Sequence, residues 1–114
     1  MSIDVYDLSV IKDAASNDAG LIKEMLELFI SKTNEEMVML KEYIANEDWE
    51  KTYFMAHKLK PSFIYLRMSI LEKCMEDIEE RAKNMKQVEK IPELFESCQS
   101  IFTDTIKVLT KEIK

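Results

Sequence analysis

Residues 19–45 read AGLIKEMLELFISKTNEEMVMLKEYIA, and their spacing decides the fold class of this chain. Ile22, Met25, Leu26, Phe29, Thr33, Met37, Leu40 and Ile44 recur at helical intervals and so share one face of a helix. Asp18 stands where a capping side chain belongs, and Asn46-Glu47-Asp48 interrupts the pattern at the far end. A long helix is therefore expected from Ala19 to about Ala45.

Working outward gives more of the same. Asp7 can cap a short helix with Leu8, Ile11 and Ala15 on one side, and Ser16 to Gly20 reads as the break after it. Asp48 can cap a third helix running from Trp49 to about Met68. Ser69-Ile70-Leu71-Glu72 has the form of a capping box, predicting a fourth helix with Leu71, Cys74, Met75, Ile78 and Ala82 as its stripe. Asn84 to Lys90 is polar and reads as a loop. Pro92 suits the first turn of a fifth helix, whose buried face would hold Leu94, Phe95, Cys98, Ile101, Phe102, Ile106 and Leu109.

Nothing alternates as a strand would. One Gly and two Pro leave little material for hairpins. The expectation is an all-α protein: an antiparallel four-helix bundle over residues 1–114 as one domain, with a short additional N-terminal helix across one end.

Charge and composition narrow the function. A net charge of −6 and a pI near 4.9 argue against a nucleic-acid surface and against an anionic membrane. No apolar run is long enough to span a bilayer, and Met1 to Gly20 lacks the apolar core of a signal peptide, which makes the cytoplasm the expected compartment. Cys74 and Cys98 have no metal-ligand spacing and read as reduced, buried thiols; a disulfide would require two helices to bring them together.

The chemistry gathers at Ala56-His57-Lys58-Leu59-Lys60-Pro61-Ser62, which holds the only histidine. At roughly 100° per residue, Trp49, Thr52, Tyr53, Ala56, Leu59, Phe63 and Leu66 form the inward face, and His57 falls at its edge or outside it. Phe54, Pro61, Ile64, Tyr65 and Met68 share the outward half, an apolar group that suggests a docking surface. Between Trp49 and Met68, four cations (Lys51, Lys58, Lys60, Arg67) face Glu50 alone, a net +3 that leaves −9 for the rest of the chain. Cations beside a nucleophilic imidazole are what transfer of a phosphoryl group uses, because charge spreads over its oxygens in the transition state. Each feature has a plainer reading: a structural histidine, a solvated lysine face, an apolar patch covering the first helix or a dimer partner. All three coincide around one side chain.

Those residues resemble the histidine-containing phosphotransfer (HPt) domains of multistep phosphorelays. The family pattern is a small residue, then His-x-Leu-Lys-Gly-Ser and a following Leu-Gly pair; here it stands as Ala56 to Ser62 with Leu66-Arg67. Leu26, Phe29 and Leu40 fit the preceding helix, Asp48 the acidic residue opening the histidine helix, and Leu71, Cys74 and Ile78-Glu79 the pattern after it. The resemblance implies that His57 accepts a phosphoryl group from the phosphoaspartate of one receiver domain and passes it to another. It further implies that Lys60 holds the phosphoryl oxygens, with Lys58 as a further candidate. Receiver domains of a hybrid sensor kinase or of response regulators are the implied partners, docking a monomer through Phe54, Pro61, Ile64, Tyr65, Met68 and Arg67. The receiver would supply Mg²⁺, so no metal or cofactor is expected on this chain.

Pro61 and Arg67 stand where the family commonly has glycine. Pro61 removes the helical bond to the carbonyl of His57, so the helix either kinks there or ends near Lys60; Phe63 and Leu66 continue the inward stripe and favour the kink. The phosphoacceptor hairpin of a sensor kinase is disfavoured. Lys58 occupies the place of its acidic residue, and one glycine cannot build a nucleotide loop, so no ATP-dependent kinase activity is expected. A carboxylate-bridged metal bundle fails for want of a second histidine. The alternative is a receiver-binding helical module, an inhibitor or scaffold, that performs no transfer.

Overall fold

The computed structural model describes residues 2–113. Five helices follow one another: α1 (Ser9–Ala14), α2 (Ala19–Ala45), α3 (Trp49–Tyr65), α4 (Ser69–Asn84) and α5 (Ile91–Glu112), with a single 3₁₀ turn at Val88–Lys90 before α5. No strand occurs among the described residues. Contacts run α2 to α3, α3 to α4, α4 to α5 and α5 back to α2, and α1 lies against α2. Three-residue links join α2 to α3 and α3 to α4, too short for anything but reversal between helices packed side by side. The all-α bundle with a short first helix is thus the observed architecture.

The core is the set of stripes read from the sequence. Leu26, Met37 and Leu40 of α2, Ala56, Leu59 and Phe63 of α3, Leu71, Met75 and Ile78 of α4, and Cys98, Phe102 and Leu109 of α5 are all buried. Phe63 and Phe102 meet edge to face with centroids 6.0 Å apart, the arrangement aromatic quadrupoles prefer. Burial of these side chains, at about 25 cal/mol per Å² of apolar surface, is the main force holding α3 in place.

The helix boundaries have local causes. Asp18 accepts from Leu21 N–H at 3.0 Å and Asp48 from Lys51 N–H at 3.2 Å, satisfying donors that a helix start leaves free. Asp7 accepts from Ser9 N–H at 2.8 Å, and this bond holds its carboxyl below the usual range. Helices α1, α2 and α3 all end in the same way. For α3, Met68 N–H donates to Phe63 C=O and Arg67 N–H to Ile64 C=O, both at 2.9 Å, with Arg67 in the left-handed region at φ 54°. This is the Schellman arrangement, in which glycine is the usual left-handed residue. Ser16 (φ 51°) and Glu47 (φ 54°) take that position after α1 and α2. Gly20, the only glycine, lies inside α2. Non-glycine residues therefore bear the left-handed cost of roughly 1–2 kcal/mol at each of these turns.

Four expectations need correction. The helix expected to reach Met68 stops at Tyr65, and the Schellman turn swings the Met68 side chain into the core, where it is fully buried beside Phe63. Ser69 does not cap α4: it is the first helical residue, and no side chain at the N-cap position, Met68, bonds the helix start. The job falls to Asp4, whose Oδ2 accepts from Leu71 N–H at 2.8 Å. Asp4 is buried, and its own N–H donates to Thr105 Oγ1 at 2.8 Å, so the N-terminal segment ties the start of α4 to α5. Finally, Cys74 and Cys98 are not free thiols; α4 and α5 bring them together as a disulfide, with Cα atoms 6.2 Å apart.

Pro61 lies inside α3, which continues past it to Tyr65. The helix does not end near Lys60.

Candidate functional site

Helix α3 seats His57 by the residues around it. Ala56 and Leu59 are buried on one side of the helix, which turns His57 outward with its side chain 62% exposed. Helix α4 then reaches the ring. Glu79 Oε1 lies 2.5 Å from His57 Nδ1, and Glu79 Oε2 lies 3.6 Å from Lys60 Nζ. One carboxylate therefore engages both the histidine and the lysine one turn along. Tyr53, one turn before His57, lies with its ring at 23° to the imidazole and 6.0 Å from it, limiting the ring on that side.

The hydrogen bond sets the tautomer. A carboxylate oxygen only accepts, so Nδ1 carries the proton and Nε2 keeps its lone pair. Nε2 is the ring nitrogen left free for chemistry. A neutral imidazole in this tautomer is a nucleophile. Attack through Nε2 would place positive charge on the ring, where Glu79 is already in contact to stabilise it.

Electrostatically the neighbourhood is more balanced than a count along α3 implies. Each of its four cations has a carboxylate within 4 Å: Lys51 with Asp48, Lys58 with Glu36, Lys60 with Glu79, and Arg67 with Asp7. The net +3 of the segment is thus met by acids, two of them, Glu36 and Glu79, from other helices. Lys60 lies on the His57 side, sharing Glu79. Lys58 points the other way, its Nζ 3.3 Å from Glu36 Oε2 on α2. Of the two lysines singled out in the sequence, only Lys60 shares a carboxylate with His57.

Phe54, Pro61, Ile64, Tyr65 and Arg67 are exposed on α3 and the turn after it. Met68 is not, and drops out of that surface. Helix α2 extends it instead: Met25, Leu28 and Phe29 line a groove of about 360 Å³ together with Pro61, Ser62 and Tyr65. A larger groove, about 470 Å³, lies between the end of α2 and the start of α5 and is lined by neither His57 nor its partners. Among the described residues no group of three or more His, Cys, Asp or Glu side chains is arranged to hold a metal ion, and no helix is long and apolar enough to cross a membrane.

Glu79 and Glu36 were missed as functional candidates, although each carried a signal. Both are acids placed within a buried stripe, Glu79 between Ile78 and Ala82 and Glu36 between Thr33 and Met37, where an unpaired carboxylate would be costly. An acid at such a position must meet a cation or donor across the helix interface.

The family model described as Hpt domain matches residues 24–112, which span α2 to α5 almost in full. Comparison with curated proteins and comparison with solved structures return no match.

Proposed function

The chain belongs to the Hpt domain family, and from that membership we propose that it is a phosphorelay intermediate with His57 as its phosphoacceptor. Domains of this family serve histidine phosphotransfer and interact with receiver domains. The observation that carries the assignment to His57 is its pairing with Glu79, which leaves Nε2 as the free nitrogen of an exposed ring.

In the proposed step, a receiver domain bearing a phosphoaspartate docks on the face of Phe54, Pro61, Ile64 and Tyr65. The Nε2 lone pair attacks phosphorus in line, forming the N–P bond. The acyl P–O bond breaks and its electron pair returns to the aspartate as carboxylate. The proton on Nδ1 stays there, and Glu79 offsets the charge gained by the ring. Lys60, 3.6 Å from Glu79 Oε2, is close enough to turn toward the incoming oxygens and offset their charge. Transfer to a second receiver reverses these steps. Mg²⁺ belongs to the receiver, and the chain works as a monomer with no ATP-dependent kinase activity of its own.

Incubation with a panel of phosphorylated receiver domains tests this, with His57→Gln alongside. An acid-labile, base-stable phosphate on the wild type and none on the variant is the expected result. Receiver binding without label would instead make the chain a docking module. A second comparison assigns Lys60: Lys60→Ala should slow transfer in the saturated complex more than it weakens docking, and an unchanged rate removes it from the reaction.

A further inference from the structure

The two lysines beside His57 are held differently, and the difference separates their tasks. Lys60 shares Glu79 with His57, so when it moves toward a phosphoryl group Glu79 still keeps one oxygen on the imidazole. Lys58 has no such freedom. Its partner Glu36 has a side chain only 5% exposed, and neither Glu36 carboxylate oxygen takes a hydrogen bond. The contact at 3.3 Å is an ion pair by distance rather than a directed bond. A buried carboxylate without donors is sustained by its counter-charge, so displacing Lys58 would strand Glu36.

The geometry also differs from that of the other cations on this segment. Lys51 and Arg67 pair with Asp48 and Asp7, whose side chains are themselves 38% and 48% exposed, so those pairs show both signs to a partner. In the Glu36–Lys58 pair the anion is hidden beneath the helices while the lysine side chain is 60% exposed. At contact range a docking surface meets only the ammonium.

We infer that Glu36 and Lys58 form a specificity element for docking: Glu36 is a positioning residue that fixes Lys58, and Lys58 binds a carboxylate at the rim of the receiver's acidic phosphoacceptor pocket. The inference rests on the phosphorelay reading above and assigns Lys58 to recognition rather than to the phosphoryl oxygens. Receivers with an acid opposite Lys58 are preferred, and those with a neutral or basic residue there are discriminated against. A fixed charge discriminates better than a mobile one because the partner must bring its acid to a defined place.

Lys58→Met alone would strand Glu36, so the test compares Glu36→Gln with the double variant Glu36→Gln, Lys58→Met, after circular dichroism shows that both are folded. Equilibrium binding to a panel of unphosphorylated receivers is measured across a range of salt, and transfer is followed separately in saturated complexes. The double variant should bind the preferred receiver roughly two- to fivefold more weakly than Glu36→Gln, with a flatter salt dependence, while saturated transfer is unchanged. Glu36→Gln should compress the spread of affinities across the panel relative to wild type. Equal affinity of the two variants, or a loss confined to the saturated transfer rate, overturns the role of Lys58. An unchanged spread with Glu36→Gln overturns that of Glu36. Lys58-dependent binding by a wild type that takes no phosphoryl group would uphold the docking element and sink the relay. Absence of any receiver binding sinks both.

Discussion

Glu79 Oε1 lies 2.5 Å from His57 Nδ1, joining two helices through residues 22 apart in sequence. The packing of α4 on α3 therefore decides which imidazole nitrogen is free. Replacing Glu79 with Ala should slow transfer roughly ten- to hundredfold, the value of one hydrogen bond to a charged group. Glu79→Gln keeps an acceptor but not the charge and should fall between. Nitrogen NMR of the imidazole supplies the independent readout: the Nδ1–H tautomer should dominate in the wild type and be lost in Glu79→Ala. A rate within about twofold of wild type would show that the pair does not govern nucleophilicity.

Arg67 occupies a left-handed position that suits glycine. Arg67→Gly should relieve backbone strain of about 1 kcal/mol, partly offset by the greater freedom of glycine in the unfolded chain. Its contact with Asp7 spans 3.9 Å between exposed side chains, which adds little. Chemical denaturation should show a gain of roughly 0.5 kcal/mol, and a clear loss would mean that the side chain contributes more than the turn costs.

The Cys74–Cys98 bridge closes a loop with a sequence separation of 24 residues, for which unfolded-state entropy gives about 3.5 kcal/mol of stabilisation. Thermal unfolding with and without a strong reductant should differ by on the order of 10 °C. Thiol titration of the native protein, with both sulfurs unreactive until reduction, is the companion measurement.

Tyr6 hydrogen-bonds Glu112, and its pKa is pushed up to about 12, first by burial, then by that hydrogen bond and the nearby carboxylate. The raised value means that the folded state holds the phenolic proton more tightly than the unfolded one. The associated stability is fully present below pH 10.0 and is lost as pH rises toward about 12. Tyr6 should ionise toward about pH 12 in an alkaline titration followed by tyrosinate absorbance, and Tyr6→Phe should delete that step.

Local signals in the sequence were legible and distant ones were not. Helix α2 was readable to its end residues because Asp18 caps its start and its apolar period is unbroken to Ile44. His57 was placed at the edge of the core or outside it, and it is exposed, because period alone assigns a helix face. Met68 was misplaced because a Schellman turn without glycine leaves little trace, so the helical wheel was extended three residues too far. The Ser69 box lost to Asp4, a competitor 67 residues from the N–H it satisfies. Glu79, Glu36 and the cysteine pair failed for the same reason: what each touches depends on how helices pack, which no window along the chain contains.

That use of Asp4 bears on how the molecule is made. Asp4 is made well before the residues it binds, Leu71, 67 residues later, and Thr105, 101 residues later. Contacts between helices that follow one another can form as the chain lengthens; this one must wait until α5 has been made as far as Thr105. Such a long-range closure bears a large loop entropy and belongs late on the folding path. Until then the start of α4, and with it the helix that carries Glu79 to His57, lacks its cap. The finished His57 site is thus coupled to the synthesis of α5, so a truncated product ending before Thr105 would present His57 without the full support of α4.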